Sequence, residues 1–249
     1  MKKLALTDFA KYRYPSALEL SPDSRYLTFA LKDVDREGDG YRWNLWLYDL
    51  ERRESRQITQ GDDQRKAVWE DNTHILYKTT EPDEALRARG FEEEWTVYRR
   101  LNVCTGEDRE AFRLPMSVSG LWKMDEGRYV FTGETHLDRP NLLELTGEAL
   151  EKELVRRQQT RGYKVLTELP LCENGVGMFN QTRITLFLYL EATGEYRRIT
   201  PEDYDVNHVN VRPGQVLFTA FPFRDVKPVT EGMYRWDAER NETETLITP

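Results

Sequence analysis

The sequence predicts an all-β fold built from about four repeated units of four antiparallel strands, and three observations predict it. The hydrophobic residues (39%) and the aromatic ones (12%) fall in short Tyr/Trp/Leu/Val alternations, the period-two pattern of half-buried strands, and not in helical stripes. One segment style recurs along the chain: strand, turn, strand, insertion, a strand ending in Tyr-x or Trp-Asp, and a last strand ending in a β-branched residue and Thr. Two copies close in the same register, since Tyr48 to Thr59 and Tyr189 to Thr200 have the same spacing.

The first copy, 15–60, is the clearest. Ala17-Leu18-Glu19-Leu20 alternates, Ser21-Pro22-Asp23-Ser24-Arg25 is a Pro-containing turn, and Tyr26 to Leu31 returns as a second strand. A charged, glycine-containing loop from Lys32 to Arg42 leads to a third strand, Trp43 to Leu50, and a fourth, Glu54 to Thr59. The second copy, 64–115, is the most diverged: strands Lys66 to Trp69, Ile75 to Lys78, Thr96 to Val103 and Glu110 to Leu114. The third, 117–200, opens on Ser117-Val118-Ser119-Gly120 and closes through Leu186-Phe187-Leu188-Tyr189 and Arg198-Ile199-Thr200. The fourth, 206–249, runs Val206 to Val211, turns at Pro213-Gly214, returns from Val216 to Ala220, and ends with Met233 to Asp237 and Thr245 to Thr248. Its closing hairpin is one residue longer.

Four-stranded antiparallel units repeating at roughly 45 to 50 residues are the mark of propeller blades. The fold expected is a partial β-propeller of about four blades, with a β-sandwich as the competing all-β arrangement that the register match disfavours. Strand polarity alternates within a blade, so every connection from second to third strand is expected on one face. The long insertions all occupy that slot: Lys32 to Arg42, Thr79 to Trp95, Glu134 to about Thr182, and Phe221 to Gly232. Within the largest, the Leu/Ala/Val spacing from Leu142 to Val155 predicts a short amphipathic helix with solvated charges.

Composition narrows the partners. Lys and Arg number 36 against 44 Asp and Glu, a formal charge of −8, which opposes a nucleic-acid backbone or an anionic membrane surface. The start, Met1 to Asp8, develops no sustained apolar run, and no stretch approaches the ~20 apolar residues of a membrane-spanning helix. Cys104 and Cys172 belong to no C-x-x-C pair, so a reducing, cytoplasmic setting with free thiols is expected.

Motifs for chemistry are sparse. No G-x-S-x-G nucleophile elbow occurs, and Ser117-Val118-Ser119-Gly120 reads as an inner strand. His74, His136 and His208 lie in different copies without metal-ligand spacing and read as surface or loop residues. Gly175 and Gly177 lack the Lys-Ser/Thr end of a phosphate loop and read as a turn into a strand. Asp62-Asp63, Glu81 to Glu84 and Arg156-Arg157 read as solvated charge runs. No catalytic residue, metal ligand or cofactor is assigned. Glu92, Glu93 and Glu94 beside Trp95 form the one candidate binding feature, because clustered carboxylates next to a ring suit a peptide's amino group; a solvated loop edge is the plainer reading.

Leu18 to Phe29, with its Ser-Pro-Asp-x-Arg turn, then Asn44 to Asp49 and Arg56-Gln57-Ile58-Thr59, resembles a blade of the acylaminoacyl-peptidase branch of the prolyl oligopeptidase family. Tyr163 to Pro170, Asn174 to Gly177 and Leu186 to Tyr189 are similar to the segment leading back into a middle blade of those proteins. The turn motif also occurs in TolB-like propellers. The resemblance implies a seven- or eight-bladed propeller followed by an α/β-hydrolase domain carrying Ser, Asp and His. This chain shows four blades, stops at Thr248-Pro249 on a blade boundary and contains no such domain, so no triad residue carries over. Dipeptidyl peptidases of the family hold the substrate amine with a Glu-Glu pair in a propeller insertion, which Glu92 to Glu94 match superficially. The expectation is a non-catalytic propeller part of a cytosolic serine peptidase, gating access and helping to select peptides that reach the absent hydrolase domain. The alternatives are a stand-alone propeller that scaffolds a protein partner and, more weakly, a propeller enzyme with a metal in its channel. Blade faces cut from a larger ring expose apolar surface, so self-association is expected.

Overall fold

The computed structural model describes residues 5–35, 40–61, 63–163, 165–170, 172–173, 177–178 and 180–249. It is all-β apart from short helical pieces, with four four-stranded antiparallel sheets in a partial propeller-like fold. The sheets are β1 to β4 (Tyr14–Leu20, Tyr26–Asp35, Gly40–Asp49, Glu54–Gln57) and β5 to β8 (Ala67–Trp69, His74–Pro82, Glu94–Asn102, Asp108–Leu114). The third combines β9 (Val118–Asp125) and β10 (Arg128–His136) with β13 (Thr182–Leu190) and β14 (Glu195–Arg198). Between them, β11 (Cys172–Glu173) pairs with β12 (Gly177–Met178), and the expected turn at Asn174 to Val176 lies outside the described residues. The fourth sheet is β15 to β18 (Tyr204–Arg212, Gln215–Pro222, Gly232–Asp237, Glu242–Ile247).

The strand order in each sheet follows the chain, as hairpin-connected blades require. The first turn is built by its own side chains. Ser21 Oγ donates to Asp23 Oδ1 at 2.6 Å and accepts from the Tyr26 amide at 2.9 Å, while Ser24 takes φ +60°. At the Pro213-Gly214 turn, Gly214 sits at φ +72°, a conformation that a Cβ disfavours. The extra residue of the fourth closing hairpin is absorbed as a register shift between Met233 and Tyr234, whose partners are Ile247 and Thr245.

Three expectations change. The Lys32 to Arg42 insertion is largely strand: β2 and β3 pair out to Asp35 and Gly40, and residues 36–39 lie outside the description. Lys32 Nζ lies 3.6 Å from the Tyr41 ring centroid and 5.3 Å from that of Trp43, so the pairing continues on a cation held over two rings. The helix expected from Leu142 is a 3-10 turn, Leu142–Glu144, followed by α2 (Gly147–Gln159); the break falls at Leu145 and Thr146, both extended, before Gly147 at φ +57° opens the helix. The histidines, expected at the surface or in loops, lie in strands, His74 in β6, His136 at the end of β10 and His208 in β15; His208 is exposed, as the surface reading has it, while His74 and His136 are partly buried.

The chain divides into two compact units, one of residues 1–81 and 96–113, the other of 82–95 and 114–249. The first unit's core joins Ala30, Leu45 and Leu47 of the first sheet to Ala67, Ile75, Tyr77, Leu101 and Val103. In the second unit Met124, Val130, Leu186 and Leu188 of the third sheet cover Val216, Phe218, Ala220, Tyr234 and Trp236 of the fourth. A satellite core of Leu86, Leu142 and Leu154, flanked by Phe91 and Leu150, lies under the second unit's insertions. Among the described residues no helix is long and apolar enough to cross a membrane.

Candidate functional site

Segment 82–95 folds around Asp83. Its Oδ1 accepts from the Leu86 amide at 3.0 Å, starting α1 (Glu84–Arg87), its Oδ2 accepts from Trp95 Nε1 at 3.2 Å, and its amide donates to Glu93 O at 2.9 Å. The Leu86 amide, then the indole, holds the Asp83 carboxyl below the usual range. This closed loop carries Leu86 and Phe91 on one side and Glu92 to Glu94 at its end.

The partner surface is α2 and the turn before it. Leu150 and Leu154 stand four residues apart on one helical face and enter the same apolar cluster as Leu86. Arg89 grips Glu151 through two bonds of 2.7 Å. Arg157 Nη1 donates to Glu93 Oε1 at 2.8 Å, its Nε to Glu153 at 3.0 Å and its Nη2 to Pro140 O at 2.6 Å. With 15% of its side chain exposed, Arg157 is no solvated charge. Its i,i+4 spacing from Glu153 was visible in the sequence; its long-range partner Glu93 was not.

These two insertions wall a cavity of about 580 Å³ in the second unit. All three candidate carboxylates, Glu92, Glu93 and Glu94, line it, together with Met116, Ser117, Glu134, His136, Arg139, Glu144, Phe187 and Arg198. Glu93 is half-buried and neutralised by Arg157, whereas Glu92 and Glu94 are exposed and, among the described residues, have no ion-pair partner. Asn141 fixes the opposite wall, its Oδ1 accepting from the Leu143 amide at 3.0 Å and its Nδ2 donating to Pro115 O. Glu144 accepts from the Tyr196 hydroxyl, whose pKa is pushed up by burial and then by that carboxylate.

His136 went unassigned in the sequence, and the structure brings it to the cavity wall. Arg139 Nη2 donates to its Nε2 at 3.0 Å, so Nδ1 carries the proton and faces Thr182 Oγ1 at 3.3 Å. Burial, then the Arg139 charge, lowers its pKa from 6.5 to about 4, and the ring is neutral at pH 7. Both nitrogens are engaged, so the ring offers no base to Ser117 across the cavity. The arrangement suits recognition: two unneutralised carboxylates in one cavity with apolar Met116 and Phe187 and a hydrogen-bonded polar wall. Among the described residues no cluster of three or more His, Cys, Asp or Glu is placed to hold a metal ion.

A second buried feature was also missed. Arg183 and Glu168 are fully enclosed, with Arg183 Nη1 at 3.1 Å from Glu168 Oε2 and Nη2 bonded both to Glu168 Oε1 and to Phe223 O, the latter at 3.0 Å. The pair pins the returning segment of the large insertion against the β16–β17 connection, where Leu169 N meets Asp225 O at 2.8 Å.

No family model matches the chain, and no curated protein matches it in sequence. Solved structures do match. Acylaminoacyl peptidase from Pyrococcus horikoshii aligns with 97% of this chain at TM-score 0.64 and 13% identity, over 34% of its own length. An acylaminoacyl peptidase in complex with Z-Gly-Gly-Phe-chloromethyl ketone aligns with 96% at TM-score 0.62 and 12% identity, over 33% of its length. TolB from Acinetobacter baumannii aligns with 94% at TM-score 0.52 and 11% identity, over 43% of its length. The chain thus spans about a third of the length of the peptidases it matches, and it shares with them a propeller-type fold.

Proposed function

We propose that the chain is the non-catalytic propeller part of a cytosolic serine peptidase of acylaminoacyl-peptidase type, where it limits access and helps select peptide substrates. The observation that carries the reading is the agreement of fold with acylaminoacyl peptidase across 97% of the chain. The cavity supplies the selecting surface: Glu92 and Glu94 receive a cationic group of the peptide, and Arg157 holds Glu93 in the wall. Hydrolysis then belongs to a nucleophile outside residues 1–249.

The experiment is to express the complete reading frame that encodes this chain and assay acetyl-amino-acid and dipeptidyl nitroanilides, with 1–249 as control. Turnover by the longer product alone supports the reading. A reading frame without a G-x-S-x-G domain, and no turnover, sinks it and leaves a propeller that scaffolds another protein.

A further inference from the structure

The charged groups lining the second unit's cavity do not satisfy one another. Arg157 takes Glu93, and the Tyr196 hydroxyl donates to Glu144. Arg139 and Glu134 meet at His136 Nε2, at 3.0 and 3.6 Å. That leaves Glu92, Glu94 and Arg198, none of which has an ion-pair partner within 4.0 Å among the described residues. One cavity thus offers exposed charge of both signs, held apart.

Arg198 is seated on a fixed ring. It pairs directly with Phe187 across β13 and β14, so both side chains leave the sheet on one face, and its guanidinium carbon lies 5.8 Å from the Phe187 ring centroid. Phe187 is 4% exposed, stacked on Phe131 at 5.0 Å and met edge-on by Tyr196 at 5.7 Å. The blade itself does not require a cation at this position. Beside the stacked Phe29–Trp46 pair of the first sheet the same row ends in Gln57, and beside Phe218–Tyr234 of the fourth it ends in Thr245. Of these three rows, the one that borders the cavity carries the guanidinium.

We propose that Arg198 receives the C-terminal carboxylate of a short peptide held in this cavity. The planar fork matches a carboxylate with two parallel N–H donors, and the ring beneath it restrains the side chain before the ligand arrives. The cavity's 580 Å³ corresponds to a sphere about 10 Å across, the span of roughly three extended residues. The ligand class is therefore a peptide of about that length with a free carboxyl end. The inference rests on the reading of the cavity as the peptide-selecting surface, in which Glu92 and Glu94 take the amino group.

Isothermal titration of chain 1–249 with trialanine, its C-terminal amide and its N-acetyl form tests the proposal. The variants are Arg198→Gln and, as a charge-matched control, Arg197→Gln, whose side chain leaves the opposite face of β14 to bond Asn241. The amide should bind about tenfold more weakly than trialanine to the wild type and to Arg197→Gln. Arg198→Gln should lose about tenfold for trialanine and no longer distinguish it from the amide. An eight-residue Gly/Ser peptide and its amide should bind alike, because the carboxyl end then lies beyond the cavity. Circular dichroism checks folding; if Arg198→Gln is unfolded, Arg198→Lys, which keeps the charge without the fork, should lose several-fold of the preference. Equal affinity for trialanine and its amide in the wild type overturns the proposal, as does a preference that survives in Arg198→Gln or is undiminished for the longer peptide. An amide effect without an acetylation effect supports Arg198 and contradicts the amine contact at Glu92 and Glu94. An acetylation effect without an amide effect contradicts Arg198 alone, and no binding of any of the three peptides contradicts both.

Discussion

Arg157 Nη1 lies 2.8 Å from Glu93 Oε1, joining residues that the chain separates by an entire blade's worth of strands. Through it the guanidinium ties segment 82–95 to α2, and through Pro140 O it ties both to the turn before the helix. The pair is mostly shielded, with side-chain exposures of 15% and 27%, so it is screened less than a surface ion pair.

Arg157→Ala leaves Glu93 facing a partly dry wall without its cation. The expected loss is about 1 to 3 kcal/mol in urea denaturation. Arg157→Lys should not restore it, since one ammonium does not reach Glu93, Glu153 and Pro140 O together.

Leu154→Ala removes the centre of the satellite core under the insertions. Leu154 is 1% exposed and packs with Leu86 and Leu142, so the expected cost is about 2 to 5 kcal/mol. Hydrogen exchange should show faster opening of 82–95 and α2 than of β15 to β18. Equal acceleration everywhere would contradict a local role.

For Arg183 and Glu168, both side chains fully enclosed, single and double replacements should diverge. Arg183→Met strands a buried carboxylate and is expected to cost about 3 to 5 kcal/mol, while Arg183→Met with Glu168→Leu recovers much of that loss. A double-mutant cycle in denaturant measures the coupling.

His136 sets a pH dependence. Its folded pKa is depressed from 6.5 to about 4, so between those values the unfolded chain binds a proton that the folded one does not. Its contribution is full above pH 6.5 and is lost as pH falls toward 4. On the order of 2 to 3 kcal/mol is expected over that window. Carboxylates also titrate in the lower part of that window, so the readout is the difference between wild type and His136→Asn, which should vanish below pH 4 and grow toward neutrality.

The strand repeat was legible because its signals are local: alternation, Ser-Pro-Asp and Pro-Gly turns, and the matched spacing of Tyr48 to Thr59 and Tyr189 to Thr200. Even the extra residue of the fourth hairpin announced its bulge. The site was legible only in part. Glu92, Glu93 and Glu94 stood out as a carboxylate run, and they do line a cavity. Arg157, His136 and Arg183 did not stand out, because each takes its meaning from a partner tens of residues away. Arg157 finds Glu93, His136 finds Thr182, and Arg183 finds Phe223 O. The Lys32 to Arg42 segment misled because its charge and glycine content suggest a loop, while pairing from Lys32–Trp43 to Asp35–Gly40 carries the hairpin through it.

On the proposed reading the chain contacts peptide without cleaving it. Isothermal titration of 1–249 with a short peptide bearing a free amino terminus, and with its N-acetylated form, tests this, with mass spectrometry of the peptide afterwards. Saturable binding of the free-amine peptide is expected, weakened several-fold by Glu92→Gln with Glu94→Gln and by added salt, with the peptide recovered intact. Equal affinity for both peptides in wild type and variant alike, or a cleaved peptide, would contradict it.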